Sequence, residues 1–104
     1  MQWPKINEEI HPYDKVGRKL KNAFGQREIV TMERRFWDYL FWLGTVDVDI
    51  ERFVQDCDLE RGNIPFGDAL SCWLRNQYEY RQREGLIQPW WLQEEEPPLL
   101  PDED

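Results

Sequence analysis

A chain of 104 residues, 40% apolar and 14% aromatic with six Trp, is the size of one domain and can build a core of its own. Its formal net charge of -8 opposes non-specific attraction to nucleic acid, although the charge is polarised: Lys5, Lys15, Arg18, Lys19, Lys21 and Arg27 stand near the start, and Glu94, Glu95, Glu96, Asp102, Glu103 and Asp104 near the end with no base among them. Two cysteines outside any Cys-x-x-Cys unit, one histidine (His11) and the lack of an apolar run near the ~18 residues of a membrane span argue against a disulfide framework, a zinc centre and a spanning helix.

Residues 1–25 show no clear period and are interrupted by Pro4, Pro12 and Gly17. Val16, Leu20 and Phe24 recur four apart, which predicts one or two helical turns between Gly17 and Phe24, or else a basic arm ordered only against something else. Residues 26–32 contain the β-branched run Ile29, Val30, Thr31 and make the one good strand. Period-two spacing puts Glu28, Val30 and Met32 on one side and Arg27, Ile29 and Thr31 on the other. A lone strand leaves its backbone groups unsatisfied, and no second strand is evident in the sequence, so the expected mate comes from another copy.

Residues 33–43 carry a helical stripe of Phe36, Leu40 and Leu43, widened by Trp37, Tyr39 and Phe41, with Gly44 at the C-cap position. A helix apolar over so much of its circumference predicts burial against both its own chain and a second subunit. Asp47 or Asp49 is placed to cap the next helix, whose core face is Ile50, Phe53, Val54 and Cys57 and whose end falls near Asp58 or Leu59. Residues 60–65 read as a turn. A third helix is expected from Phe66 to Arg83, with Phe66, Ala69, Leu70, Trp73, Leu74 and Gln77 inward, Gly67 a mild cost, and Gly85 a stop. Cys57 and Cys72 are both expected as buried, reduced thiols. Pro89 prevents continuation, and Trp90, Trp91 and Leu92 are expected to fold back over the core. Residues 94–104, with Pro97, Pro98 and Pro101 among the acids, read as a disordered tail. The organisation is thus a basic arm (1–25), a domain (26–85), an aromatic packing segment (86–93) and an acidic tail (94–104).

The stretch Arg27-Glu28-Ile29-Val30-Thr31-Met32-Glu33-Arg34-Arg35-Phe36-Trp37-Asp38-Tyr39-Leu40, followed by Ile50-Glu51-Arg52-Phe53-Val54-Gln55-Asp56-Cys57-Asp58 and the turn Arg61-Gly62-Asn63-Ile64-Pro65, resembles the small bacterial proteins of the ribbon-helix-helix superfamily over about residues 27–80. The resemblance implies a mainly α fold: one short strand pairing antiparallel across a homodimer, two core helices, and an additional C-terminal helix. Its dimer core would be Val30, Met32, Phe36, Trp37, Leu40, Phe53 and Val54. It implies a DNA-binding transcription regulator whose ribbon enters the major groove with Arg27, Ile29 and Thr31 outward. Arg34, Arg35, Lys19 and Lys21 would meet phosphate, together with Lys15 and Arg18 of the arm. Three features depart from a DNA reader. Thr31 stands at a position that is often basic or strongly polar in such proteins. Ile29 can at best touch a thymine methyl, and Asp47, Asp49 and Glu51 crowd the start of the second helix, where a phosphate would dock.

No catalytic constellation emerges. His11 has no nucleophile at a useful spacing. Asp56 and Asp58 lie two apart and do not share a helix face. Asp47, Asp49 and Glu51 alternate like calcium ligands without the rest of a calcium loop. No cofactor, metal, membrane or small-molecule substrate is expected, and the default compartment is the cytoplasm. The alternative function is a protein-interaction module that keeps a dimeric fold without binding DNA.

Overall fold

The computed structural model describes residues 11–46 and 48–89. In chain order they form β1 (Lys15–Lys21), β2 (Arg27–Glu33), α1 (Arg34–Leu43), α2 (Ile50–Glu60) and α3 (Phe66–Arg83). The two strands make an antiparallel hairpin with Lys15 opposite Glu33 and Lys21 opposite Arg27, and the three helices pack on one of its faces.

The connection between the strands is a short loop organised by Asn22, which is buried. The Asn22 N–H donates to the Gln26 carbonyl at 2.7 Å, and its Oδ1 accepts from the N–H groups of Phe24 and Gln26, both at 2.9 Å. Its side-chain amide donates to Glu28 Oε2 at 2.9 Å. Gly25 takes φ +83°, the left-handed conformation that closes a three-residue hairpin loop before the second strand.

This hairpin corrects two expectations. The segment from Gly17 to Lys21 is strand, not helix. A spacing of four is also a spacing of two, so Val16 and Leu20 can share a strand face as readily as a helix face. Leu20 is buried there, whereas Phe24, the third member of the supposed stripe, is 78% exposed. The second correction concerns the mate of β2, which lies in the same chain: β1 pairs with it along its whole length. The other edge of β2 is approached by α3. A Cβ at Gly67 would run into the Thr31 carbonyl oxygen, so glycine is required at the point where helix backbone meets strand backbone. The apparent cost of Gly67 in a helix is the condition for that contact.

The core is likewise filled from within the chain. Val30, Met32, Phe36, Trp37, Leu40 and Val54, assigned by the resemblance to a dimer core, are all buried in the single chain, and Phe53 is partly buried, edge-on to Trp73 at 5.7 Å between ring centroids. α1 packs against β2, α2 and α3, while α3 and α2 also reach the hairpin directly. Trp37 reaches the sheet, its Nε1–H donating to the Val16 carbonyl at 2.8 Å. Tyr39 stacks on Trp42 and meets Tyr78 edge-on, and its hydroxyl bonds Gln88 Oε1 at 2.5 Å. The wide apolar surface of α1 therefore finds its neighbours inside one copy.

α2 begins at Asp49, whose Oδ1 accepts from the Arg52 N–H at 3.2 Å, as expected of a capping aspartate. Cys57 is fully buried and burial pushes its thiol up to about 12, so it stays protonated. Cys72 corrects the expectation for both thiols: it is exposed. The core face of α3 runs through Phe66, Ala69, Leu70 and Leu74, which turns position 72 outward. The expectations for Asp47, for Trp90, Trp91 and Leu92, and for residues 94–104 lie outside the described residues.

Candidate nucleic-acid interface

The hydrogen-bond pattern of the hairpin decides which side chains share a face. The Asn22 N–H bonds the Gln26 carbonyl at one end, and the Arg34 N–H bonds the Asp14 carbonyl at 2.8 Å at the other. The even-numbered positions are therefore the mutually bonded pairs, and the odd-numbered positions form the non-bonded pairs, in which side chains stand closer together. The odd positions form the more exposed face, with Glu33 at its end half-buried. On β1 these are Lys15, Gly17, Lys19 and Lys21; on β2 they are Arg27, Ile29, Thr31 and Glu33. Lys19 stands opposite Ile29, Gly17 opposite Thr31, and Lys21 opposite Arg27.

The result is an exposed ribbon face with four cations. Among the described residues, Lys15, Lys19 and Arg27 make no ion pair. Lys15 faces Glu33, but that carboxylate is held by Arg35 at 2.7 Å. Lys21 lies 3.9 Å from Glu51 of α2. Placing Lys21 directly across from Arg27 is unfavourable for the hairpin alone, because like charges in a cross-strand pair repel. Between the cations, Ile29 is 66% exposed, an apolar side chain that contributes little to the core. Gly17, without a side chain, leaves the ribbon low beside Thr31.

The edge of β1 opens into a groove of about 320 Å³ lined by Lys19, Leu20, Lys21, Arg27, Ile50, Glu51 and Val54. Cations and an apolar floor meet there, with Glu51 as the one acid.

The sequence-predicted site residues separate into two groups. Arg27, Ile29, Thr31, Lys19 and Lys21 come together on the ribbon face. Arg35 does not join them. It is 5% exposed, ion-paired to Glu33, and its guanidinium lies 4.5 Å from the Tyr13 ring centre and 4.9 Å from that of Phe36. Arg34 is mostly buried, its side chain 17% exposed, and pairs with Asp38 at 3.3 Å. Burial raises the Asp38 carboxyl, and the neighbouring Arg34 offsets part of that rise. Arg18, an even position, turns to the helix side and lies over the Phe41 ring at 5.4 Å. These three arginines hold the fold together and offer no free charge to phosphate.

What sequence reasoning missed was the origin of the second strand. The signal was present in Lys15-Val16-Gly17-Arg18-Lys19-Leu20-Lys21, where the apolar residues fall only on even positions, followed by the turn former Asn22 and by Gly25.

Elsewhere, His11 Nδ1 accepts from the Tyr13 N–H at 3.2 Å. Among the described residues no three of His, Cys, Asp and Glu stand together as a metal-ligand group, and no helix is long and apolar enough to cross a membrane. Compared with family models, with curated proteins and with solved structures, the chain finds no match in any of the three.

Proposed function

We propose that this chain is a non-catalytic DNA-binding protein that engages the duplex with the exposed face of its β-ribbon, and that it serves as a regulator by occupying a site. The observation that carries this reading is the juxtaposition on one face of Lys15, Lys19, Lys21 and Arg27 with Ile29 and Thr31 between them. The major groove admits a two-stranded ribbon, and within it these groups have distinct uses. Arg27 can donate two hydrogen bonds to the O6 and N7 of a guanine. Thr31 can bond either kind of base edge, and Ile29 can touch a thymine methyl. The lysines provide phosphate contact and orientation. The net charge of -8 restricts attraction to this face.

The reading keeps the three outward residues that the ribbon-helix-helix resemblance implies and replaces the strand borrowed from a second copy by β1. It needs no homodimer. Glu51 and Asp49 remain the objection to phosphate docking at the start of α2, so the contact is assigned to the ribbon and away from that helix end.

The test is binding to a labelled duplex across a salt series. Three phosphate contacts, one from each lysine, give a slope of log K against log salt of about -3. Lys19→Ala should weaken binding and make the slope shallower by about one, and Arg27→Ala should weaken binding and relax the preference for guanine at the position it reads. Absence of retention on DNA at low salt would sink the reading. The exposure of Phe24 and Ile29, at 78% and 66%, would then favour the protein-interaction alternative, since apolar groups rimmed by charge suit a protein surface as well.

A further inference from the structure

Phe24 stands at the tip of the hairpin, between Lys21 and Arg27 in the chain, and is 78% exposed. Its position is not that of a loose loop residue. The Phe24 N–H is held by Asn22 Oδ1 at 2.9 Å and the Gly25 N–H by the Asn22 carbonyl at 3.1 Å. The preceding Ala23 N–H donates to Asp58 Oδ2 at 2.8 Å, and Asp58 is itself gripped by Arg61 at 2.6 Å. The loop is thereby bolted to α2, thirty-five residues away in sequence. The aromatic ring it presents contributes little to the core and the backbone that carries it is held, so contact with a partner would order the side chain alone.

An exposed flat apolar group on a held loop, with the cross-strand cation pair Lys21 and Arg27 at the base of that loop, matches one chemistry in particular. Nucleic acid provides phosphates for the cations, and an unstacked base provides a face for the ring. A fully paired duplex hides its base faces in the stack, and exposing one has to be offset by other contacts. An unpaired base exposes its face at no such cost.

We infer that Phe24 is a stacking residue and that the ribbon prefers DNA carrying an unpaired base within a duplex over the fully paired duplex. The inference rests on the DNA-binding reading above and names the form of DNA that the same surface selects.

The experiment compares two labelled probes, a 20-base-pair duplex and the same duplex with one extra unpaired thymine at its centre, titrated with the full chain at several salt concentrations. Wild type should bind the bulged probe about tenfold more tightly, the effect of one base–aromatic stack. Phe24→Ala should abolish that preference without altering the salt slope, because no charge is removed. Phe24→Trp should keep the preference. Thermal unfolding of both variants should match wild type, since the ring is outside the core. Equal affinity of wild type for the two probes overturns the inference while leaving the DNA-binding reading intact, and so does a Phe24→Ala variant that keeps the preference. Lack of salt-dependent binding to either probe overturns both.

Discussion

In the helical layer Arg34, Arg35, Arg52 and Arg61 each lie against a carboxylate, at 3.3, 2.7, 3.7 and 2.6 Å from Asp38, Glu33, Asp56 and Asp58. On the ribbon face Lys15, Lys19 and Arg27 have no such partner among the described residues, and Lys21 sits across from another cation. The same side-chain chemistry is thus used in two ways. Where a guanidinium is partnered and flanked by rings, as Arg35 is by Tyr13 and Phe36, removing it leaves a carboxylate without its partner and a hole beside two aromatics. Where a cation is exposed and unpaired it adds little to folding, and its charge is available to an outside anion. The difference separates residues that build the fold from residues that can bind, although all of them read alike as basic positions.

Four substitutions test that separation. The largest effect should come from Gly67→Ala, which drives a methyl group into the Thr31 backbone. It should lower unfolding free energy by about 3 kcal/mol in a urea titration, with every ribbon cation still in place. Arg35→Ala should destabilise by roughly 2 kcal/mol, less than a fully buried pair because Glu33 remains partly in water, and the folded protein should keep its DNA affinity. A loss of affinity greater than the loss of folded protein would place Arg35 among the binding residues after all.

Asp58 gives the pH-dependent test. Burial acts to raise its carboxyl, but the Ala23 N–H and Arg61 outweigh that and hold it below its ordinary 3.8. A carboxyl depressed in the folded state contributes stability that is present in full above the unfolded value. That contribution is lost as pH falls through the lower folded value. Asp58→Asn should therefore be less stable than wild type by about 1.5 kcal/mol near neutral pH, measured by denaturant unfolding, and the gap should close below pH 4. A constant gap down to pH 2 would mean that the charge of Asp58 is not what ties the hairpin loop to α2.

The smallest effect concerns Glu51, the acid nearest Lys21. Glu51→Gln should free Lys21 and raise DNA affinity by about threefold at low salt, the gain disappearing as salt screens it. Unfolding should move by no more than ~0.5 kcal/mol, since the pair is exposed. No gain in affinity would remove Lys21 from the contact surface.

Much of this was legible in the residues themselves. The three helices fall where the period of Phe36, Leu40 and Leu43, of Ile50, Phe53, Val54 and Cys57, and of Phe66 to Leu74 places them. The strand at Arg27–Glu33 and its two faces follow from β-branching and alternation. These are local properties: each depends on side chains a few positions apart, and local spacing is what a sequence displays directly.

What only the tertiary structure decided was which distant groups meet. Val16 and Leu20 fit a helix and a strand equally well until β2 offers a mate, so the existence of β1 was settled by pairing and not by period. Arg27 and Arg35 are the same residue type eight positions apart. One faces water because its strand position is odd, and the other is buried because Glu33, Tyr13 and Phe36 converge on it. A charge becomes structural or available according to the carboxylates that the fold brings within reach, and that reach is set through space, not along the chain.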